Sequence, residues 1–430
     1  MHSSGRSSLA LNGGPPVRQG NWPPWPQYGP SAMTLLQEVL ESGRWAVSGM
    51  WTGKPPLDQV FAEQFARYIG VKYCSPTDHG SSALVIAMKA LGVGAGDEVI
   101  VPGLTWVACA STVLRVNAIP ILVDVEPETL CLSPEAVSAA ITPRTAAILV
   151  VHLYSSMAQM DEIMKISQRH GIPIIEDSAQ AHGARWRGRR AGSLGTIGTF
   201  SMQQGKVLTC GEGGAATTSD ERLYSLLEQL RHDGRKFSSE TPQPGHMHLI
   251  EVGSIVGANR AMSEFQAAVL LDGLGRLDEQ SLRRAANAEY LTRRLGELAG
   301  MDPVRPHAEN DERNYYHYVI RYRPEAFAGK PVDVICRALE AELGFWVHPT
   351  YRPLNDHPLY QPHLNPFNDL ETPAPSKLDP SRFDLPEATR QHQRSVLFHH
   401  SILLGSSSDM DDIVNAFTKV QELAHTLPSC

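Results

Sequence analysis

From Val71 onward, short apolar runs alternate with stretches of helical periodicity. "DEVIVP", "IPILVDV", "AAILVVHLY" and "IPIIED" are nearly continuous and rich in β-branched residues, which predicts strands covered on both faces. Between them, "GSSALVIAMKALG" sets Leu84, Val85, Met88 and Leu91 on one helical face. "MDEIMKISQRHG" does the same with Ile163 and Ile166, and Gly171 provides a stop. Strands alternating with helices predict an α/β fold with a mainly parallel sheet.

The ends of the chain follow other patterns. Residues 1–12 are small and polar and read as a flexible tail. "GGPPVRQGNWPPWPQYGP" mixes Pro, Gly and Trp, the composition of an extended arm held to a surface by its rings. Helices are expected over Thr34–Ser42 and Leu57–Ile69. After a long helical stretch ending near Gly300, "NYYHYVIRYRP" reads as a strand and "DMDDIVNAFTKVQELAHTL" as a helix. The expected division is therefore a large domain over residues 13–282, including the arm, and a smaller α+β domain over 283–430. The boundary falls within Glu279–Ala285.

Composition narrows the function. With 46 acidic and 38 basic residues the formal charge is −8, which disfavours nucleic acid and anionic lipid as partners. The apolar runs are too short to cross a bilayer and no signal-peptide core is present, so a cytoplasmic location is expected. The six cysteines are scattered, without a CxxC pair or a His/Cys cluster; reduced thiols and no metal site are expected.

One lysine stands out. Lys206 sits in "SMQQGKVLTCGEGGA", with no other lysine between Ile166 and Arg235. A desolvated lysine amine can attack a carbonyl, which arginine cannot do; an arbitrary lysine is more often a surface residue. The spacing excludes a P-loop, because six residues separate Gly198 from Gly205 and Val207 stands where Ser or Thr would meet magnesium. Asp177 closes "IPIIED", where open α/β sheets hold ligands, although alone it reads equally as a helix cap. Gly80, Ser81 and Ser82 open a helix with free amides and hydroxyls, a phosphate cradle or plain capping. Trp106, just after "DEVIVP", is a ring platform or core packing. Together an anion cradle, a ring platform, a carboxylate and an amine describe a site for pyridoxal 5'-phosphate.

These residues carry a resemblance. "GSSAL", "EDSAQAHGA", "FSMQQGKVLTCGEGGA" and "GANRAMSEFQAA" are similar to segments of the DegT/DnrJ/StrS aminotransferases, pyridoxal phosphate enzymes of fold type I, and the likeness covers nearly the whole chain. It implies that Lys206 is the Schiff-base lysine, Asp177 the partner of the pyridine nitrogen and Trp106 the stacking ring. It further implies that Gln180 lies beside the cofactor's phenolic oxygen, that Gly80, Ser81 and Ser201 contact the phosphate, and that Asn259 reaches the phosphate of a neighbouring subunit in a homodimer. "RWAVSGMW", "GLTWVACAS", "VHLYSSMAQMDEI" and "SRFDLPEAT" most resemble the glutamine-dependent inosose aminotransferases of aminoglycoside pathways. That subgroup implies L-glutamine as donor and a keto-cyclitol, scyllo-inosose or its 2-deoxy form, as acceptor.

His152, Tyr154, His348 and Tyr351 are candidate substrate contacts, with packing as their alternative. His399 and His400 are expected to pack. The nearest alternative function is a nucleotide-ketosugar aminotransferase, which should need cationic groups for a diphosphate. A sugar 3-dehydratase of the same family would carry histidine in place of Lys206. A non-catalytic, cofactor-binding regulator would need an attached DNA-binding domain, for which the tail before Leu9 leaves no room.

Overall fold

The computed structural model describes residues 8–364 and 375–428. Helices α1 (Pro30–Ser42) and α2 (Leu57–Ile69) precede strand β1 (Tyr73–Thr77). Then follow α3 (Gly80–Ala90), β2 (Glu98–Pro102), α4 (Ala108–Leu114), β3 (Ile119–Val123), α5 (Pro134–Ala140), β4 (Thr145–Val151), α6 (Met160–His170) and β5 (Ile174–Asp177). Strands β6 (Ile197–Ser201) and β7 (Gly214–Thr218) lead to α7 (Glu221–Arg231). The sheet order is β1-β7-β6-β5-β4-β2-β3. The links from β6 through β5, β4 and β2 to β3 are parallel, and β7 runs antiparallel to both neighbours.

Burial explains why these runs lack an alternating polar face. Every residue of β2 and β5 is buried, and Ile148 to Val151 of β4 pack with them in one core. Each fully buried Ile, Val or Leu there contributes about 1.5–3 kcal/mol. The parallel arrangement brings the carboxyl ends of β4 and β5 to one edge, where sheets of this kind open to ligands.

Helix α8 (Glu264–Gly296) begins with a capping box in which the Ser263 hydroxyl and the Gln266 side chain each satisfy a backbone N–H. It buries Ala267, Leu270 and Leu277 against α2 and the start of the sheet. Farther along it buries Ala288, Leu291 and Leu295 in a different core, with residues of a second sheet. That sheet contains β8 (Met301–Pro303), β9 (His317–Tyr322), β10 (Val347–Pro349) and β11 (Ser395–His399), all antiparallel in the order β8-β9-β11-β10. It is packed by α9 (Val332–Leu343) and α11 (Ser407–Leu423), while α10 (Pro386–Arg394) lies just before β11. α8 thus runs without a break from one core into the other.

The amino-terminal arm is attached at several points. The Trp22 indole donates to the Leu343 carbonyl at 2.8 Å and Arg18 pairs with Asp412 at 2.8 Å. Leu9 is fully buried in the core of the second sheet, so packing starts inside the segment expected to be a free tail; residues 1–7 of that segment lie outside the described residues. The cysteines at 74, 109, 131, 210 and 336 are free thiols, and Cys430 lies outside the described residues. Among the described residues, no helix is long and apolar enough to cross a membrane.

Candidate active site

The edge formed by β4, β5 and β6 opens into a cavity of about 540 Å³, lined from one side by Gly80, Ser81, Trp106, Asp177, Gln180, Ser201 and Lys206. From the other side it is lined by Tyr316, His317, Trp346, His348, Tyr351 and His399. The fold thus assembles segments more than 300 residues apart around one lysine amine.

At the floor, Asp177 is buried, and its carboxylate accepts the Ala179 N–H at 3.0 Å and the Cys109 thiol at 3.1 Å. Burial first, and then the Asp177 charge, hold that thiol well above its usual range. It therefore stays protonated and donates, which leaves Asp177 as the acceptor.

The neighbouring residue anchors this floor. Glu176 is fully buried and accepts backbone N–H groups of Gly192 at 2.9 Å, Leu194 at 2.6 Å and Gly195 at 2.5 Å, and pairs with His152 at 3.0 Å. Burial alone would raise its pKa, but the His152 hydrogen bond and charge, together with the amides, lower it below 4.5. A depressed carboxylate stabilises the fold above its ordinary pKa, and that contribution fades as pH falls through the folded value. Glu176→Ala is expected to cost about 3–5 kcal/mol at neutral pH. The deficit in urea denaturation should narrow below pH 4.5.

Above the floor, β1 feeds into α3 through His79, which has extended geometry and makes no side-chain cap. The first-turn amides and the Ser81 hydroxyl are placed to receive an anion, aided by the positive helix end. Gly80 is required here. A Cβ at that position would lie 2.6 Å from the Ser201 Cβ, so only glycine lets the helix start approach the end of β6. Gly214 plays the same part beside His79, where a Cβ would stand 2.5 Å from the carbonyl oxygen.

Gln180 has a fixed orientation. Its Oε1 accepts the Tyr154 N–H at 2.8 Å, so its Nε2 turns toward the cavity and donates to the Tyr351 hydroxyl at 3.2 Å. Trp106 is 47% exposed, with its ring 6.0 Å from that of Tyr351, a platform open on one face. The Lys206 amine lies 4.2 Å from the centre of the Tyr316 ring, a cation–π contact.

Two of the four candidate substrate contacts, His348 and Tyr351, line the cavity. His152 and Tyr154 do not. His152 is held between Glu176 and the Ala158 amide, and the Tyr154 hydroxyl accepts the Tyr351 N–H at 2.7 Å from behind. Asn259 is exposed and outside this cavity, on a segment bridged to His232 and to the end of β1.

The chain matches the DegT/DnrJ/EryC1/StrS aminotransferase family over residues 29–416. It belongs to that family. It is 49% identical over 412 residues to the L-glutamine:2-deoxy-scyllo-inosose aminotransferase of Streptoalloteichus tenebrarius, covering 96% of this chain and 97% of the relative. It is 50% identical over 414 residues to the L-glutamine:scyllo-inosose aminotransferase of Streptomyces griseus, with the same two coverages. The crystal structure of 3-amino-5-hydroxybenzoic acid synthase superposes with a TM-score of 0.77 at 31% identity, covering 93% of this chain and 100% of that one. The protein is a pyridoxal phosphate-dependent aminotransferase of fold type I.

The residues of this aminotransferase suit that cofactor on physical grounds. The glycine-lined approach of α3 to Ser201 fits a phosphate, and the buried Asp177 acceptor fits a protonated ring nitrogen. Sequence reasoning missed Tyr316, His317, Trp346 and Cys109 as lining residues and assigned His399 to packing. The available signal was position: Tyr316 and His317 stand where β9 begins and His399 where β11 ends, and antiparallel pairing sets His317 opposite His399.

Proposed function

We propose that this aminotransferase moves the amino group of L-glutamine to the ketone of a free inosose, scyllo-inosose or its 2-deoxy form, in aminocyclitol antibiotic biosynthesis. The observation that carries this reading is the charge of the cavity. Among the described residues, Lys206 is the only lysine or arginine in its lining. Burial also pushes the His348 imidazole down to about 4 and His317 well below its usual value. The rings facing a substrate are therefore neutral hydrogen-bonding groups, suited to a polyhydroxylated ring and poorly suited to a diphosphate. The glutamine-dependent relatives named above support both donor and acceptor.

In this reading Asp177 pairs with the pyridine nitrogen, Trp106 stacks on the ring, and Gln180 offers its amide to the phenolic oxygen. Gly80, Ser81 and Ser201 hold the phosphate. Bound pyridoxal phosphate supplies an aldehyde that condenses with amines and a ring that takes up electron pairs. Lys206 Nζ would act as the general base that removes the proton from the glutamine α-carbon. In the second half-reaction the same Nζ delivers a proton to the cyclitol carbon that gains the amine. Asn259, exposed beside the entry to α3, reaches the phosphate of a second subunit in a homodimer. The free thiols of the described cysteines support a cytoplasmic setting.

The deciding experiment offers the purified enzyme L-glutamine with free inososes or with nucleotide-linked ketosugars and follows the amine by mass spectrometry. Turnover confined to the inososes is expected. Turnover confined to the nucleotide sugars would replace this reading with the alternative.

A further inference from the structure

Two consecutive carbonyls precede Lys206, and each receives ring N–H donors from distant parts of the chain. The Gly205 carbonyl is approached by the Nε2 of His399 at 2.9 Å and by the Nε2 of His400 at 3.0 Å. The Gln204 carbonyl accepts the Trp25 indole N–H at 2.9 Å. The Trp25 and His400 rings also meet nearly perpendicular, with centroids 4.4 Å apart. The donors come from the end of β11 and from the amino-terminal arm, so neither is part of the loop they hold.

Tautomers follow from the partners. A carbonyl oxygen only accepts, so both Nε2 atoms carry hydrogen. At His399 this agrees with the Nδ1 atom, which accepts the Ser401 N–H at 3.3 Å. Burial keeps both imidazoles below their usual pKa, so each is a neutral donor that adds no charge beside the lysine. The far end of Lys206 meets the same part of the fold, because Tyr316, under its amine, accepts the His400 backbone N–H through its carbonyl at 3.2 Å.

We propose that His399, His400 and Trp25 are positioning residues that clamp the Gln204–Gly205–Lys206 backbone, so that the lysine amine is held in reacting geometry only while the β11 end and the amino-terminal arm are docked. This rests on the reading of Lys206 as the reacting amine. The pair expected to serve packing thus acts on the catalytic loop. A loosened loop misplaces the amine for every proton transfer while leaving the substrate-facing rings untouched, and small misplacements are costly in rate.

The test compares His399→Leu/His400→Leu with His399→Gln/His400→Gln, whose amide N–H groups replace the lost donors, and with Trp25→Phe. Each is prepared as the pyridoxal phosphate-loaded enzyme. The leucine pair should lower kcat about 10- to 100-fold with KM for glutamine and ketone within about threefold. The glutamine pair should recover most of that loss. Amide hydrogen exchange in the peptide spanning residues 203–206 should quicken at least about tenfold in the leucine pair and in Trp25→Phe. Normal exchange together with normal kcat in the leucine pair would overturn the clamp, as would glutamine variants no better than leucine ones. If the leucine pair does not fold, Trp25→Phe and the glutamine pair decide through exchange and kcat. Borohydride trapping with peptide mapping reports separately on Lys206: a label on another residue would reject the underlying reading, whatever the exchange data show.

Discussion

Lys206→Ala is expected to lower amine transfer from glutamine by at least about 10⁴-fold, because in the proposed reading the variant loses both the nucleophile and the general base. The size of the effect follows from how the amine is presented. Its Nζ rests over the Tyr316 ring in a cavity that, among the described residues, has no second lysine or arginine in its lining to take its place. Lys206→Arg separates charge from chemistry. It keeps the cation over Tyr316 yet cannot be deprotonated, so it should be as inactive as the alanine variant. Both variants retain Asp177, Gly80, Ser81 and Ser201, and both should still take up pyridoxal phosphate, measured by co-elution on gel filtration. Neither should be labelled at position 206 by borohydride. Added methylamine should restore part of the activity of the alanine variant and none to the arginine variant, which still fills the space. Activity of Lys206→Ala near that of the parent enzyme would remove this residue from the reaction.

The parallel sheet was legible because its strands are buried on both faces. "DEVIVP" and "IPIIED" have no polar alternation to confuse with an exposed strand, and β2 and β5 fall within them. Helix α2 matches the expected Leu57–Ile69, where amphipathic spacing ends at Gly70 in a left-handed cap. Helix α1 starts earlier than expected, at Pro30, because proline is tolerated in a first turn whose N–H groups lack intrahelical partners. One wall of the cavity was legible through one local rule, that the carboxyl ends of parallel strands and a glycine-opened helix share an edge. The opposite wall was not. Tyr316, Trp346 and His399 come from a sheet whose docking onto the first depends on contacts between distant segments, and no local period encodes that. His152 and Tyr154 show the converse. They leave β4 at the correct edge, but Glu176 and the Tyr351 amide draw their polar atoms into the wall.

Asp177→Asn is expected to lower kcat roughly 10²- to 10³-fold, the scale seen when one preorganised electrostatic partner is removed from an active site. The substitution is nearly isosteric, and its consequences can be read from the hydrogen bonds. Ala179 N–H can still find an acceptor in the asparagine oxygen, so the turn after β5 should survive. What disappears is the negative charge and one acceptor. The thiol of Cys109, held protonated by burial, then faces an amide N–H that cannot accept its S–H. More important for catalysis under the proposed reading, an amide would not keep a pyridine nitrogen protonated, and Lys206 Nζ would then have to remove a less acidic α-proton. The loss should therefore fall on both half-reactions alike, in single-turnover experiments that give glutamine to the pyridoxal phosphate-loaded enzyme and the cyclitol ketone to the pyridoxamine phosphate-loaded enzyme. A fall confined to one half-reaction, or unchanged kcat in a folded variant, would assign Asp177 to the architecture of the β5 turn instead. The neighbouring carboxylate provides the contrast. Glu176, turned into the core toward His152 and the amides of Gly192, Leu194 and Gly195, contributes stability. Asp177, one residue on and therefore on the opposite face of the strand, lines the cavity, where the proposed reading pairs it with the ring nitrogen.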